Sequence, residues 1–185
     1  IPEWRLALLL MSGLPGTGKS TLARELARPA GFEIIRTDTV RKELQSTDAP
    51  AEPIDDPYSE EGKQAVYDEC LERAKTALFD GKRVILDATF HKLDRRQTFT
   101  ELARQLGVRV HLLICTAEPE IIRRRLAERA GSVSDADWEV YQKLADQWDP
   151  PSPREERFTR RIPTDVALSQ SVERALEYLR EEGLV

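Results

Sequence analysis

Short apolar runs alternate along this chain with longer stretches of helical period. The alternation predicts an α/β protein: a five-stranded, mostly parallel sheet with helices on both faces. Strands are expected at Leu6 to Met11, Glu33 to Arg36, Arg83 to Asp87, Val108 to Cys115 and Thr159 to Pro163. Helices are expected at Lys19 to Arg28, Thr39 to Gln45, Tyr58 to Phe79, Asp94 to Leu106, Glu120 to Ala130, Asp137 to Gln147 and Ser171 to Glu182. Several helix starts have local causes. Asp56 before Pro57 suits an N-cap followed by a proline at the first helical position, while Asp94 with Gln97 and Ser134 with Asp137 have the spacing of capping boxes. Two stretches interrupt the pattern. Ser46 to Pro57 carries three prolines and three aspartates, Trp148 to Arg157 carries Pro150, Pro151 and Pro153, and both read as surface loops near the mouth of a site.

A length of 185 residues suits one domain, here residues 1–185, with one sizeable core. With 40% hydrophobic and 33% charged residues, the composition is that of a folded domain with a well-charged surface. Leu6 to Met11 is too short to span a bilayer and no basic segment precedes it, so no membrane partner and a cytoplasmic location are expected. Cys70 and Cys115 lack a CxxC spacing and read as buried free thiols. With only His91 and His111, the chain has no zinc-ligand cluster. The formal net charge of -5 provides no general attraction for nucleic acid. The opening residue is Ile1, not methionine, as in a domain excised from a larger chain.

The sharpest signal is Gly13-Leu14-Pro15-Gly16-Thr17-Gly18-Lys19-Ser20, followed by Thr21. It fits G-x-x-x-x-G-K-[ST] in full, follows an apolar strand and opens a helical segment. Chains with this pattern curl their backbone N–H groups around a phosphate at a helix N-terminus, where the helix dipole favours negative charge. ATP is therefore expected along Gly13, Pro15, Gly16, Thr17, Gly18, Lys19, Ser20 and Thr21. Lys19 reaches the β- and γ-phosphates and the Ser20 hydroxyl ligates Mg²⁺. The bland alternative, a glycine-rich turn with no ligand, does not account for the complete motif in both halves of its strand and helix context.

Other motifs separate the uses of such a loop. Val84-Ile85-Leu86-Asp87 is followed by Ala88, so the Asp-Glu pair of a water-activating ATPase is missing, and no Asn-Lys-x-Asp guanine-reading motif occurs. The length also leaves no room for the helical domain of ring-forming ATPases. A kinase fits better. Asp38 ends the second strand at the ligand-binding edge expected of an open α/β sheet, and Arg41 follows three residues on. The carboxylate could take the proton of an acceptor hydroxyl and the arginine could hold an anionic part of the acceptor. A helix N-cap aspartate beside a solvated arginine is the plainer reading.

The P-loop, Asp38-x-x-Arg41, Asp87-Ala88-Thr89 with Arg95 and Arg96 behind it, and the arginine-rich helix after Cys115 together resemble the polynucleotide 5′-hydroxyl kinases and the related small AAA-type and zeta-toxin-like P-loop kinases. The motifs are shared, less completely, with gluconate kinases and chloramphenicol phosphotransferases. The resemblance implies a P-loop NTPase fold with an arginine-bearing lid at about 125–147, ATP and Mg²⁺ as cofactors, Asp38 as general base and Arg41 on the acceptor's neighbouring phosphate. It implies γ-phosphoryl transfer to a hydroxyl, with a nucleic-acid 5′ end as the preferred acceptor. A small-molecule kinase and a non-catalytic ATP-binding module are the alternatives.

On the helix after Cys115, Arg124 has Glu120 and Glu128 four residues away on either side, while Arg125 and Arg129 form a like-charge pair that an anion would relieve. Lid arginines of the related kinases neutralise the transferring phosphoryl group, and this role is expected for Arg125 and Arg129, with Glu128 competing for Arg125. The glycine and serines of Ala130 to Ala136 have the composition of a mobile lid. Asp87 either orients metal-bound water, contacts the acceptor or simply ends a strand, and His91 is a further acceptor candidate. Trp138, Tyr141 and Trp148 are expected in packing of the last helices, with base stacking as the alternative.

Overall fold

The computed structural model describes residues 5–46, 58–130 and 135–185. The strands are β1 (Ala7–Ser12), β2 (Phe32–Arg36), β3 (Arg83–Asp87), β4 (Arg109–Thr116) and β5 (Thr159–Pro163). The helices are α1 (Lys19–Ala27), α2 (Thr37–Gln45), α3 (Glu60–Phe79), α4 (Leu93–Gln105), α5 (Pro119–Ala130), α6 (Asp135–Asp146) and α7 (Leu168–Glu181). A 3-10 turn at Glu155–Phe158 leads into β5. The strands form one sheet in the order β2-β3-β1-β4-β5, and every pairing is parallel.

Every residue of β1 is buried, and its side chains divide by the strand's twofold period. Ala7, Leu9 and Met11 enter a core with Leu22 and Leu26 of α1 and Ala175 and Leu179 of α7. Leu8 and Leu10 point the other way, into a core with Val40 of α2, Val66 and Cys70 of α3 and Phe99 of α4. Each leucine buried here contributes roughly 1.5–3 kcal/mol relative to exposure. A strand buried on both faces has to lie inside a covered sheet, which is why the central strand reads as an uninterrupted apolar run. From β1 the chain proceeds to β2 and β3 on one side and afterwards to β4 and β5 on the other. The resulting crevice opens above the carboxyl end of β1, where open α/β sheets take ligands.

All five expected strands and seven expected helices are present, with ends displaced by a few residues. The helix caps differ more. Asp94 and Gln97 do not form a capping box: Lys92 stands at the N-cap of α4 with no side-chain cap bond, and Asp94 Oδ1 accepts from the adjacent Arg95 N–H. The open N–H of Leu93 is met from elsewhere, by Asp149 Oδ2 at 3.0 Å. Ser59 caps α3 by accepting from Gly62 N–H at 3.0 Å. The Asp56–Pro57 start, most of the Ser46 to Pro57 loop and the Ser134 half of the last capping box lie outside the described residues.

Two buried arginines tie distant segments together. Arg83 donates to the carbonyls of Ala30 and Leu184, each at 2.7 Å. Arg96 is 1% exposed and meets Glu155, itself buried, through Nε and Oε1 at 2.9 Å. It also donates to Phe90 O and Pro150 O, while Glu155 Oε2 accepts from Ser152 N–H. The proline-rich loop is thereby fastened over the end of β3. Burial pushes the thiols of Cys70 and Cys115 up to about 12, and both are free. Among the described residues no helix is long and apolar enough to cross a membrane.

Candidate active site

The loop between β1 and α1 is shaped by glycines and fixed by its surroundings. Gly16 has φ 81°, and a Cβ there would stand 2.8 Å from Ile122 Cγ2 of α5, so only glycine fits the turn. The N–H of Gly13 and the Ser12 hydroxyl both donate to Thr89 O, which binds the loop to the end of β3. Thr17 turns inward: its N–H and hydroxyl both donate to Leu14 O, bracing the loop from within. Gly18, at φ 82°, forms the N-cap of α1 with no side-chain cap bond. The first turn of α1 also lacks an acidic residue, whereas α2 and α4 each carry one and α3 carries two. Its unsatisfied N–H groups and dipole are therefore left for an external anion.

Lys19 stands on this first turn and faces carboxylates. Burial lowers its pKa most, and the charges of Asp87 and then Asp38 oppose that fall only in part. Asp87 ends β3 opposite Met11 of β1 on one side and Arg36 of β2 on the other. It is 3% exposed, its Oδ2 accepts from Arg36 Nε at 3.1 Å, and its Oδ1 is buried with no hydrogen-bond partner. An orphaned carboxylate oxygen close to Lys19 is of the kind that would suit the water shell of a metal ion, were one held between the Ser20 hydroxyl and a bound nucleotide's phosphates. The described residues contain no cluster of three or more His, Cys, Asp or Glu for a cation.

Asp38 lies in the first turn of α2 and its carboxylate accepts from Arg41 Nη1 at 2.6 Å. Partial burial would raise its pKa, but the Arg41 hydrogen bond and charge, followed by Lys19 and Arg36, outweigh it and hold the group below the ordinary aspartate value. The arginine expected to await an acceptor anion thus already has an anionic partner within the protein. Its Nε remains buried without a hydrogen bond, and its guanidinium lies 5.4 Å from the Tyr58 ring centroid. His91 lies on the loop after β3, its carbonyl accepting from Asp149 N–H and its Nδ1 buried without a partner. Burial depresses its pKa, which favours the neutral imidazole.

On the other side of the loop, Gly16, Gly18, Thr21, Leu22, Arg125 and Arg129, with residues from the β5–α7 connection, line a cavity of about 460 Å³. Arg125 does not pair with Glu128. It donates to Gly16 O and to Thr164 O, so its charge rests on loop backbone. Arg129 lies close enough to Lys19 to depress the lysine pKa slightly. Arg124 approaches Glu128 at 3.9 Å as expected, and Arg123 lies over Trp138. Trp138 stacks on Tyr141 with centroids 4.8 Å apart, both half-buried on α6, whereas Trp148 packs against the core on the α3 and α4 face. Most of the Ala130 to Ala136 lid segment lies outside the described residues.

Two participants were not singled out in the sequence. Along the sequence Arg36 is no more than a strand end, and its partner Asp87 stands 51 positions away. Thr164 braces the loop through its hydroxyl against Thr17 O and its N–H on Thr116 O. Its place just beyond the last strand, at the same edge as the loop, was the available signal.

The sheet order, the glycine loop and the open helix start carrying Lys19 define a P-loop nucleotide-binding protein with the fold of the P-loop kinases. The match to a family model is direct: residues 8–151 fit the AAA domain family, and the chain belongs to it. It is 37% identical over 142 residues to an uncharacterized protein of Mycobacterium tuberculosis, covering 75% of this chain and 28% of that protein. The chain therefore spans little more than a quarter of that relative's length. An adenylate kinase of Thermus thermophilus is 29% identical over 140 residues, 74% of each chain. A gluconokinase from Sinorhizobium meliloti superposes with a TM-score of 0.71 at 17% identity, covering 97% of this chain and 94% of its own. A sugar kinase from Janibacter gives 0.69 at 20% identity, covering 96% and 95%. These likenesses show the shared fold.

Proposed function

We propose that residues 1–185 act as one ATP-dependent phosphotransferase unit that moves the γ-phosphoryl group of ATP to a hydroxyl acceptor. The observation that carries this reading is the pair of carboxylates, Asp87 at the end of β3 and Asp38 on the first turn of α2 beside it, whose charges both act on the half-buried Lys19. A hydrolase needs a base for water, whereas an acceptor cleft beside an ionised aspartate suits proton removal from an alcohol. Gly13, Pro15, Gly16 and Gly18, with Lys19, Ser20 and Thr21, hold the phosphates, and Thr17 keeps the loop in shape. The base and ribose occupy the cavity beside Arg125, with Arg129 turned to the phosphates. Ser20 and Asp87 would hold Mg²⁺, which would supply positive charge to neutralise the phosphates. Asp38 takes the acceptor proton as the new oxygen–phosphorus bond forms and the bond to the ADP oxygen breaks.

The acceptor reading follows Arg41. Because Asp38 already balances this arginine, the cleft does not require a phosphate-bearing polymer, and a small hydroxyl compound is the reading we favour. The names of the gluconokinase and sugar kinase with the same fold support it. A nucleic-acid 5′ end is the second reading, favoured by the unpartnered Arg41 Nε beside Tyr58. The test is incubation with γ-labelled ATP and a panel of sugars, nucleosides and 5′-hydroxyl oligonucleotides. Transfer to a small compound, lost in Lys19→Ala, supports the first reading. Transfer to oligonucleotides that weakens with salt and with Arg41→Ala supports the second. Tight ATP binding with no transfer to any class would leave a nucleotide-binding module.

A further inference from the structure

Arg36 enters neither the phosphate loop nor the acceptor pair, yet it stands between them. It is the last residue of β2, in register with Asp87 of β3, and Thr37 beside it donates its hydroxyl to the Asp87 carbonyl. Its side chain is 32% exposed and reaches the carboxylate at the crevice edge through Nε alone. A bidentate fork would have consumed both carboxylate oxygens. The single contact instead fixes the rotation of the carboxylate with Oδ2 turned to β2 and leaves Oδ1 buried without a partner. A buried carboxylate oxygen left unmatched is costly unless something in the working protein meets it.

We propose that Arg36 is a positioning residue that orients the Asp87 carboxylate, so that Oδ1 remains turned towards the hydrated metal of the nucleotide complex. The inference rests on the Mg-ATP reading given above. It separates two functions that a cation at this place could have. A merely neutralising charge would tolerate any cation and would act on the nucleotide phosphates with or without metal. A rotational clamp acts through Asp87 and only when the metal is present. Arg36 also contributes to holding Asp38 ionised, as the smallest of the cationic influences on that group, so both carboxylates of the crevice lie within its field.

The experiment measures nucleotide affinity by calorimetry as Mg²⁺ is titrated, in the unmutated protein, Arg36→Met, Asp87→Asn and the double variant, with chelator-treated samples as reference. Without Mg²⁺ the affinities of the unmutated protein and Arg36→Met are expected to agree within about twofold, since the phosphate cradle is untouched. The Mg²⁺ concentration that half-saturates the increase in affinity is expected to rise about 10- to 100-fold in Arg36→Met, the usual consequence of losing an outer support of a metal site. The double variant is expected to be no worse than Asp87→Asn alone, because Arg36 acts through that carboxylate. Arg36→Lys, which preserves the charge and so protects the fold, shifts the Mg²⁺ response in the same direction. An unchanged Mg²⁺ response in folded Arg36→Met or Arg36→Lys overturns the proposal, and so do independent, additive losses in the double variant. No nucleotide binding by the unmutated protein overturns the proposed function along with it, whereas normal binding with an indifferent Arg36 overturns this inference alone.

Discussion

Replacing Arg96 by methionine tests the buried network beneath the proline-rich loop. The substitution keeps the length and apolar stem of the side chain and removes its charge. Glu155, 3% exposed, then holds a carboxylate whose remaining polar contact is the Ser152 N–H, and the carbonyls of Phe90 and Pro150 lose a donor. Breaking one member of such a buried pair costs about 3–5 kcal/mol. At a urea dependence of about 2 kcal/mol per molar, the unfolding midpoint falls by roughly 1.5–2.5 M. Equilibrium urea unfolding followed by tryptophan fluorescence reads this directly, since Trp148 sits in the affected loop. Removing both charges in Arg96→Met with Glu155→Leu is expected to restore about half of the loss, since an apolar pair escapes the penalty of an unmatched ion but the carbonyls stay unserved. A fall of less than about 1 kcal/mol in the single variant would refute the reasoning, for it would mean that water already reaches the pair.

Asp38→Asn is expected to lower the transfer rate about 10²- to 10⁴-fold while nucleotide affinity is preserved, measured by steady-state transfer and calorimetry. Because Arg41 and the neighbouring cations depress the Asp38 pKa, the base form is present above the ordinary aspartate range and is lost only as pH falls through the depressed value. Arg41→Ala should therefore move the acid limb of the pH–rate profile to higher pH, and an unmoved limb would show that Asp38 is not the group titrating. Gly16→Ala, at φ 81° and 2.8 Å from Ile122, is expected to weaken nucleotide binding at least about tenfold through displacement of the loop, with binding restored in part by Ile122→Ala.

Where structure follows from neighbouring residues, the sequence was informative. The phosphate loop is legible because its glycines, lysine and serine encode backbone geometry within one turn, and β1 is legible because a doubly buried strand admits only apolar side chains. The cap of α4 was misread because local chemistry offered Asp94, while the acceptor that meets the Leu93 N–H is Asp149, 56 positions away. Arg125 shows the same limit. On its own helix it has Glu128 within reach, but the fold brings Gly16 and Thr164 to it, and backbone carbonyls win the contact. Arg41 and Asp38 stand at the spacing of a helix ion pair, and the contact that this spacing offers is the one the fold makes, at 2.6 Å. The pairing of Arg36 with Asp87 depends on β2 and β3 lying side by side, which strand order alone determines.

The stretch that matches the AAA domain family ends at residue 151, yet the structure does not come apart there. Thr164 braces the phosphate loop from beyond that point, Val166, Leu168 and Ser171 wall the cavity beside that loop, and Arg83 in the middle of the chain clasps the carbonyl of Leu184 near its far end. Residues 152–185 are thus the last wall of the chamber and the lid of one core, added where sequence likeness has faded. A cut at residue 151 would leave the recognisable motif intact and open its pocket to solvent.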